Sequence, residues 1–318
     1  MTGGIGLVFP GQGSQAVGMG QALYEAFPIV RQTYADASQV LGYDIAKLCF
    51  DGPAERLNAT EYTQPALLTA SVAAFRVLDH PHLRPVAVAG HSLGEYSALV
   101  AARAVGFTEA VALVQKRGRY MSEAVSPGTG LVAAVLGIGA EALREVCREA
   151  SAVGVVAAAN YNCPGQIVIA GERAAVERAI ELAKSNGARK AIALPVSVPV
   201  HTPLMKTAAD RLATDLAAAH WSNPESPVVN NAEAKALRTG DEIQPSLVRQ
   251  LPSSVLWEDS IKTMVGLGVK TFVEVGPGMV LTGLIKRIAP DAATVNVHDP
   301  QTLDAARVAL GLPAPASA

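Results

Sequence analysis

The sequence predicts an α/β fold in which a large parallel sheet is interrupted by a smaller sheet with its own helices. Short apolar segments of strand length alternate with helical segments along most of the chain, as is typical of parallel sheets. One of these apolar segments, 86–89, runs directly into a Gly-x-Ser-x-Gly pattern at 90–94 and then into an alanine-rich helical segment. From about residue 128 the order changes to strand, helix, strand, strand, helix, strand. We therefore expect a large domain and an insertion.

Composition narrows the class of protein. A chain of 318 residues, 50% hydrophobic and 17% charged, is long and apolar enough to bury a large core. The formal net charge of −2 gives no reason to expect nucleic acid or an anionic membrane as a partner. Cys49, Cys147 and Cys163 are too few and too widely spaced for a disulfide framework or a metal site. The N-terminus lacks a signal-peptide pattern, and the most apolar window, 86–105, carries charged side chains, so we expect a cytoplasmic protein.

The elements before residue 86 are a strand and several helices. A strand at 5–9 leads into a glycine-rich loop at 10–15 that completes no phosphate-binding pattern, so a plain turn and a ligand loop both remain open. Residues 28–80 are predicted to be mostly helical, with a break at 51–53. Gln64-Pro65 is predicted to open a helix of small apolar residues at 66–77 that packs under the next strand.

The Gly-x-Ser-x-Gly pattern predicts a sharp turn between a strand and a helix. A Cβ at Gly90 or Gly94 would collide with neighbouring backbone, which leaves the Ser92 hydroxyl exposed at the tip of the turn. The following helix directs unpaired N–H groups and its positive dipole end at the same place. Such patterns also arise by chance in glycine-rich chains, but the strand-turn-helix context favours a nucleophile over a plain loop.

An arginine lies on the apolar face of the next helix, predicted at 108–123. Val111, Val114 and Met121 share one stripe with Arg117. Because an unpaired buried charge is costly, Arg117 needs a counter-charge. One interpretation is a salt-bridged or snorkelling arginine. The other is that its planar guanidinium binds the carboxylate of a substrate.

Residues 128–197 carry the β-α-β-β-α-β order of a ferredoxin-like unit. The predicted strands and helices, in chain order, are 131–136, 140–150, 153–159, 166–170, 173–186 and 190–196. The turn at 162–165 forms the central hairpin. We expect this small domain to be inserted into a large domain formed by 1–127 and 198–310, with a disordered tail at 311–318.

His201 is the best candidate base for Ser92. It follows the return from the insertion, where clefts form, and precedes a helix predicted to start at Thr202-Pro203 with Thr202 as N-cap. The dipole of that helix would keep the imidazole neutral and able to accept a proton. An isolated histidine in a loop is more often an ordinary polar residue on the surface. No acidic residue is well placed to act as the third member of a catalytic triad. Further strands of the large sheet are predicted at 228–231, 271–275 and 294–297.

Five segments together resemble the malonyl-CoA:acyl carrier protein transacylases of fatty-acid synthesis, and the likeness extends over nearly the whole chain. These segments are 9–15, 90–95, 115–118, 160–166 and 274–278. The resemblance implies a hydrolase-like α/β domain with a ferredoxin-like insertion. It implies an acyl carrier protein S-malonyltransferase that takes malonyl from malonyl-CoA and passes it to the phosphopantetheine thiol of holo acyl carrier protein. It implies no cofactor and no metal, and we expect a monomer.

The resemblance also assigns the reacting groups. Ser92 would be the acylated nucleophile and His201 its base. The backbone N–H groups of Gln12 and Leu93 would form the oxyanion hole. Arg117 would bind the malonyl carboxylate, which supplies the partner that this inward-facing arginine lacks.

Further residues are assigned to the surroundings of these groups. Gln250 would orient His201 through its main-chain carbonyl, which accounts for the missing acidic residue. His91, Asn160 and Val200 would line the site. Val200 departs from the family, which often has Ser or Phe before this histidine, so the choice between malonyl and methylmalonyl stays open. Leu93 favours malonyl mildly.

Other functions remain open beside this one. The same site is compatible with methylmalonyl or other acyl selectivity in a polyketide pathway. A thioester hydrolase would use the same serine and histidine, although Arg117 favours transfer of an activated diacid. A carrier-protein docking module without activity is disfavoured, because the candidate nucleophile, its base, the carboxylate-binding arginine and the oxyanion-binding loop all occur together.

Overall fold

A computed structural model describes residues 3–126, 128–194 and 198–313 of the chain. Within these ranges the strands form two sheets, one of six strands and one of four, which we call the large sheet and the small sheet. The strands of the large sheet are β1 (Gly4–Phe9), β2 (Pro85–Gly90), β7 (Val228–Val229), β8 (Ala236–Leu237), β9 (Val269–Val275) and β10 (Ala293–Val297). Their order is β10-β9-β1-β2-β7-β8, and among the described strands of this large sheet only β7 and β8 pair antiparallel.

Helices cover both faces of the large sheet, because its central strands are apolar on both sides. Along β1, Leu7 and Phe9 belong to one core cluster while Val8 belongs to another, and along β2 Val88 and Ala89 divide in the same way. The helices outside the small sheet are α1 (Gln21–Ala26), α2 (Pro28–Leu41), α3 (Ile45–Asp51), α4 (Ala54–Asn58), α5 (Thr60–Leu78), α6 (Gly94–Ala101), α7 (Phe107–Glu123), α10 (Lys206–Ala218), α11 (Gly240–Gln250), α12 (Trp257–Gly266), α13 (Val280–Ile288) and α14 (Pro300–Leu310).

The small sheet is antiparallel and has the ferredoxin-like order that the sequence predicts. Its elements are β3 (Gly130–Leu136), α8 (Ala140–Ala150), β4 (Val156–Cys163), β5 (Gln166–Glu172), α9 (Arg173–Ser185) and β6 (Lys190–Leu194). The strands lie in the order β4-β5-β3-β6, and α8 and α9 pack on one face over an apolar core. The α/β fold class with a parallel large sheet and a ferredoxin-like small unit is confirmed.

Two predicted element starts are wrong. Helix α5 begins at Thr60 and contains Pro65, whereas the sequence predicted a start at Gln64-Pro65. The early start is packed directly against Gly118 of α7, where a Cβ would crowd the Thr60 carbonyl oxygen at 2.7 Å. Strand β4 begins at Val156 instead of 153, because α8 continues into a single 3₁₀ turn at Ser151–Val153 and Gly154 then turns at a φ of 146°.

The predicted domain junctions fall on residues that the structure does not describe, 127 and 195–197, so this division of the chain stays a prediction. The predicted tail at 311–318 begins with Gly311, which ends α14, and with Leu312, which is buried in the core. Residues 314–318 lie outside the described ranges.

A connecting segment, 254–256, joins the two sheets. Val255 pairs with the edge strand β4, since its N–H donates to the Ala159 carbonyl at 2.8 Å and its carbonyl accepts from the Tyr161 N–H at 2.9 Å. The N–H of Leu256 donates to the carbonyl of Asn231, just beyond β7, at 2.9 Å. The segment therefore fixes the small sheet beside the carboxyl edge of the large sheet. In the described ranges, no helix has the length and apolarity needed to cross a membrane.

Candidate active site

Ser92 occupies the sharp turn between β2 and α6, at a φ of 51°. A Cβ on Gly90 would collide with the backbone of Gly94, and a Cβ on Gly94 would collide with the carbonyl of Phe9. Both glycines are thus required for the turn, as predicted from the sequence. The turn places Ser92 on the wall of a cavity at the carboxyl edge of the large sheet.

His201 lies at hydrogen-bond distance from Ser92. Its Nε2 is 2.7 Å from Ser92 Oγ, and its Nδ1 is 3.1 Å from the main-chain carbonyl oxygen of Gln250. Since a carbonyl only accepts, Nδ1 carries the proton, and Nε2 of the neutral ring is free to accept from the serine hydroxyl. The arrangement can withdraw a proton from Ser92 without an acidic third residue.

The imidazole of His201 is held neutral by its surroundings. Burial, and then the positive charge of Arg117, lower its pKa from the usual 6.5 to about 3. These two causes account for the shift without the helix dipole invoked from the sequence. Thr202 is the N-cap residue of a 3₁₀ turn, Pro203–Met205, which leads into α10 at Lys206, so the predicted helical start at Thr202-Pro203 is confirmed. The Thr202 side chain makes no capping hydrogen bond, because its Oγ1 donates to the Pro199 carbonyl at 2.7 Å.

Arg117 is buried directly beside the serine, with 1% of its surface exposed. Its Nη2 donates to Ser92 Oγ at 3.2 Å and to Gln250 Oε1 at 2.9 Å, and its Nη1 donates to Gln64 Oε1 at 2.8 Å. Among the described residues no carboxylate oxygen lies within 4 Å of the guanidinium. Its charge is solvated by neutral groups only, which suits it to an incoming anion.

The loop after β1 lies against the turn. A Cβ on Gly11 would collide with the carbonyl of His91, so the backbone of the loop approaches the turn directly. Within the described residues, neither the N–H of Gln12 nor that of Leu93 donates to a protein acceptor, and both residues line the cavity. The Gln12 side chain donates to Thr60 Oγ1 at 3.2 Å, which holds the loop to the start of α5.

The cavity has a volume of about 540 Å³ and is lined by both sheets. The predicted lining residues His91, Asn160 and Val200 all lie on its wall. His91 Nε2 is 2.9 Å from Asn162 Oδ1 of β4, a contact that joins the two sheets across the site. Apolar side chains of the small sheet form the opposite wall, namely Val132, Val168 and Leu194. The cavity has the volume of a small-molecule binding site.

Three polar residues at the site were missed in the sequence. Asn231 Oδ1 accepts from the N–H of Ser92 at 2.6 Å, and Asn231 Nδ2 donates to the carbonyl of Gly90 at 2.7 Å, so this side chain spans the turn. Glu95 is buried behind the turn, and burial raises its pKa from 4.5 to about 7. Gln64, in α5, accepts from Arg117 Nη1 through its Oε1. Of these three residues, only Glu95 could have been found from the local sequence, because it is a lone charged residue in the otherwise uncharged helix α6.

The fold and the site together define an α/β protein of the hydrolase-like class, with a serine on a sharp strand–turn–helix elbow and a histidine within hydrogen-bond distance of it. The model of the acyl transferase domain family matches residues 7–300, and the chain belongs to this family.

Individual relatives are similar over nearly their full length. The malonyl CoA-acyl carrier protein transacylase of Escherichia coli strain K12 is 50% identical over 300 residues, which cover 94% of this chain and 97% of the relative. A crystal structure of an acyl carrier protein S-malonyltransferase from Vibrio cholerae has 50% identity and a TM-score of 0.92, covering 95% of this chain and 99% of that one.

A third relative is a malonyl-transacylase solved in complex with its type II PKS acyl-carrier protein. It has 47% identity and a TM-score of 0.93, covering 95% of this chain and 98% of that one. The resemblance inferred from the five sequence segments is confirmed.

Proposed function

We propose that this chain is an acyl carrier protein S-malonyltransferase, which moves a malonyl group from malonyl-CoA to the phosphopantetheine thiol of acyl carrier protein. The observation that carries the proposal is Arg117, a buried cation 3.2 Å from Ser92 Oγ. A malonyl thioester is an acyl group that ends in a carboxylate, and a guanidinium binds a carboxylate through a charged, directional contact. The names of the similar proteins support the same activity.

In the first half-reaction Ser92 Oγ attacks the thioester carbonyl carbon. His201 Nε2 takes the hydroxyl proton, the Oγ–C bond forms, and the carbonyl oxygen becomes an oxyanion. The free N–H groups of Gln12 and Leu93 bind that oxyanion, each contributing roughly 3 kcal/mol by analogy with other oxyanion holes. The C–S bond then breaks, and His201 returns the proton to the leaving coenzyme A thiolate.

The second half-reaction repeats these steps with a different thiol. His201 takes the proton of the phosphopantetheine thiol, and the sulfur attacks the malonyl ester of Ser92. The tetrahedral intermediate collapses, the C–Oγ bond breaks, and His201 gives the proton back to Ser92. Both half-reactions move an acyl group and a proton and change no oxidation state. The transfer as written therefore uses neither a metal nor a redox cofactor.

Arg117 has a further part in this scheme. In the free protein its Nη2 donates to Ser92 Oγ, so a bound malonyl carboxylate takes over a donor that otherwise occupies the nucleophile. The carboxylate also balances the positive charge that lowers the pKa of His201. His201 is therefore a stronger base in the malonyl complex than in the free protein. The malonyl group is thus selected partly because it makes the chemical step faster.

The surroundings of this scheme follow from the same assignments. His91, Asn160 and Val200 form the wall around the acyl group, and Gln250 orients His201 through its carbonyl. We place the reaction in fatty-acid synthesis in the cytoplasm, with a monomeric chain acting on the holo carrier protein. The polyketide-associated relative was solved with its own carrier protein, which supports a carrier protein as the partner here.

Intact-protein mass after brief mixing with malonyl-CoA tests the proposal. We expect a gain of one malonyl group on the native chain, its absence in Ser92→Ala, and its removal by added holo carrier protein. A malonyl ester that is lost to water equally fast without carrier protein would instead show a hydrolase. An adduct with another acyl-CoA but not with malonyl-CoA would contradict the substrate and direct attention to Val200.

A further inference from the structure

Glu95 is a buried carboxylate that the reaction scheme above does not use. It lies in the first turn of α6, three residues after Ser92, and only 1% of its surface is exposed. The rest of this helix is apolar or small, so the charge is not there for solubility. Ionised groups in such surroundings are retained only where several donors hold them.

Two donors hold the Glu95 carboxylate. Its Oε2 accepts from the backbone N–H of Asn231 at 3.0 Å and from Gln250 Nε2 at 2.8 Å. The first contact fixes the carboxylate to the residue whose side chain spans the nucleophile turn. The second contact connects it to the glutamine that touches both Arg117 and His201.

The contacts of Gln250 leave its amide a single orientation. The main-chain carbonyl of Ser92 and the ionised Glu95 carboxylate can only accept, so Nε2 must face them, at 3.0 and 2.8 Å. Arg117 can only donate, so Oε1 must face Arg117, at 2.9 Å. Without the carboxylate, Nε2 would lose its charged acceptor, and the amide would be held far less firmly toward Arg117.

We propose that Glu95 is a positioning residue for the acyl transfer, which acts through Gln250 to hold the Arg117 guanidinium and the His201 imidazole around Ser92. The inference rests on the proposed function. Glu95 touches neither Ser92 Oγ nor the cavity wall, so its effect on the reaction is indirect.

Above its pKa of about 7, the negative charge of the ionised Glu95 carboxylate has a second consequence. It opposes the positive charge of Arg117 without forming a direct ion pair, because Gln250 lies between them. Removal of that charge increases the positive potential at His201, which makes the imidazole a weaker base. The same change strengthens the attraction of Arg117 for a carboxylate. A loss of the charge alone should therefore slow the chemical step without weakening the binding of malonyl-CoA.

The test is the rate of malonyl ester formation on Ser92 over a range of malonyl-CoA concentrations, at about pH 8, above the pKa of Glu95. In Glu95→Gln an amide oxygen still accepts from Asn231 and Gln250, but the charge is gone. We expect the maximal rate to fall at least tenfold, as for other charge-assisted contacts, with no rise in the half-saturating concentration.

A matched control is Glu274→Gln. Glu274 is also 1% exposed and accepts two backbone N–H groups, from Leu281 at 3.0 Å and Thr282 at 2.7 Å, at the start of α13. This variant should lose similar stability yet keep its maximal rate within about twofold, because Glu274 contacts none of Gln250, Arg117 and His201. Equal slowing in both variants would overturn the proposal, because the effect would then belong to any buried carboxylate.

The route through Gln250 has its own test. Gln250→Met removes the amide and retains the main-chain carbonyl that holds His201. In that background Glu95→Gln should slow acylation by less than about threefold, since coupled residues are not additive. A full tenfold effect there would overturn the route.

Glu95→Asp is the variant to measure if Glu95→Gln fails to fold. It keeps the charge but moves the carboxylate back by one methylene. A native maximal rate in Glu95→Asp would overturn the positioning role. If the native chain forms no malonyl ester at all, the proposed function fails. If the native chain forms it and Glu95→Gln forms it equally fast, only the inference about Glu95 fails.

Discussion

The small sheet and the carboxyl edge of the large sheet are both well buried, but different contacts stabilise them. The core of the small sheet is apolar, and its charges lie on the outer faces of α8 and α9 in exposed pairs such as Arg144–Glu141 and Arg178–Glu149. Such pairs contribute little to stability. At the carboxyl edge of the large sheet, by contrast, Glu95, Arg117 and His201 are buried together.

This difference separates what folds the chain from what the site does. Burying charges beside one another costs folding free energy, and a sheet edge covered with leucine and valine would be more stable. The polar groups at the carboxyl edge are retained where the nucleophile lies, while the small sheet contributes a stable apolar wall. Substitutions in the two regions should therefore differ in which property they change.

The largest effect is expected at Arg117. In Arg117→Ala the malonyl carboxylate loses its charged partner, and we expect kcat/KM for malonyl-CoA to fall roughly a thousandfold, the size of the loss when one member of a buried charge pair is removed. Transfer of an acetyl group, which has no carboxylate, should change far less. Parallel kinetics with malonyl-CoA and acetyl-CoA measure the ratio.

The neighbouring Lys116 provides a matched control for that prediction. Its ammonium pairs with Asp215, 2.5 Å away, and its side chain is 44% exposed. Lys116→Ala removes a positive charge one residue away on a different helix face and should leave the malonyl-to-acetyl ratio unchanged. An unchanged malonyl-to-acetyl ratio in Arg117→Ala as well would contradict the proposal that Arg117 binds the malonyl carboxylate.

The reverse pattern is expected at Ile169 in the small sheet, whose side chain is fully buried. Ile169→Ala leaves a cavity in the apolar core and should lower the free energy of unfolding by about 3 kcal/mol. Chemical denaturation measures this loss. The malonyl-to-acetyl ratio of the folded variant should remain native, and a shifted ratio would show that the small sheet does more than form a wall.

The smallest effect concerns the pH dependence of stability. The folded chain raises the pKa of Glu95 from 4.5 to about 7, so the stability from this group is fully present below 4.5 and is lost as pH rises through 7. It lowers the pKa of His201 from 6.5 to about 3, so the stability from this group is present above 6.5 and is lost as pH falls toward 3. Between pH 5 and 6.5 the two trends oppose each other.

Single substitutions should separate these opposing trends. Between pH 5 and 6.5, Glu95→Gln should make the free energy of unfolding rise with pH more steeply than in the native chain, by up to about 1.4 kcal/mol per pH unit. His201→Gln should shift the slope in the opposite direction by a similar amount. Denaturant unfolding across this range gives both slopes, and parallel slopes in all three proteins would contradict the assignment of these two shifts.

The site residues that could be predicted from the sequence are those that belong to a local sequence pattern. Ser92 was predicted from glycines two residues away on either side, and Arg117 from its place on an apolar helical stripe. The contacts of Asn231 could not be predicted in this way. The strand before it was predicted, at 228–231, but Asn231 meets Ser92 across 139 residues of sequence, and no local pattern shows that its side chain reaches the turn.

Tertiary packing also overrode two local rules. Pro65 indicated a helix start, yet α5 begins five residues earlier because Gly118 of α7 leaves room for its first turn. Thr202-Pro203 does begin a 3₁₀ turn that leads into α10, but the Thr202 hydroxyl donates to the Pro199 carbonyl instead of capping that turn. In the first place a contact distant in sequence and in the second a competing hydrogen bond decided the local geometry, and propensity alone does not contain that information.

The connecting segment 254–256 has a consequence beyond the site. Strand β4 is at the edge of the small sheet, and the unpaired N–H and C=O groups of an edge strand are a template for pairing with another chain. Val255 occupies those groups at Ala159 and Tyr161, in the middle of β4. The chain thus blocks intermolecular β-pairing along this edge of the small sheet with the same hydrogen bonds that hold Asn160 at the cavity.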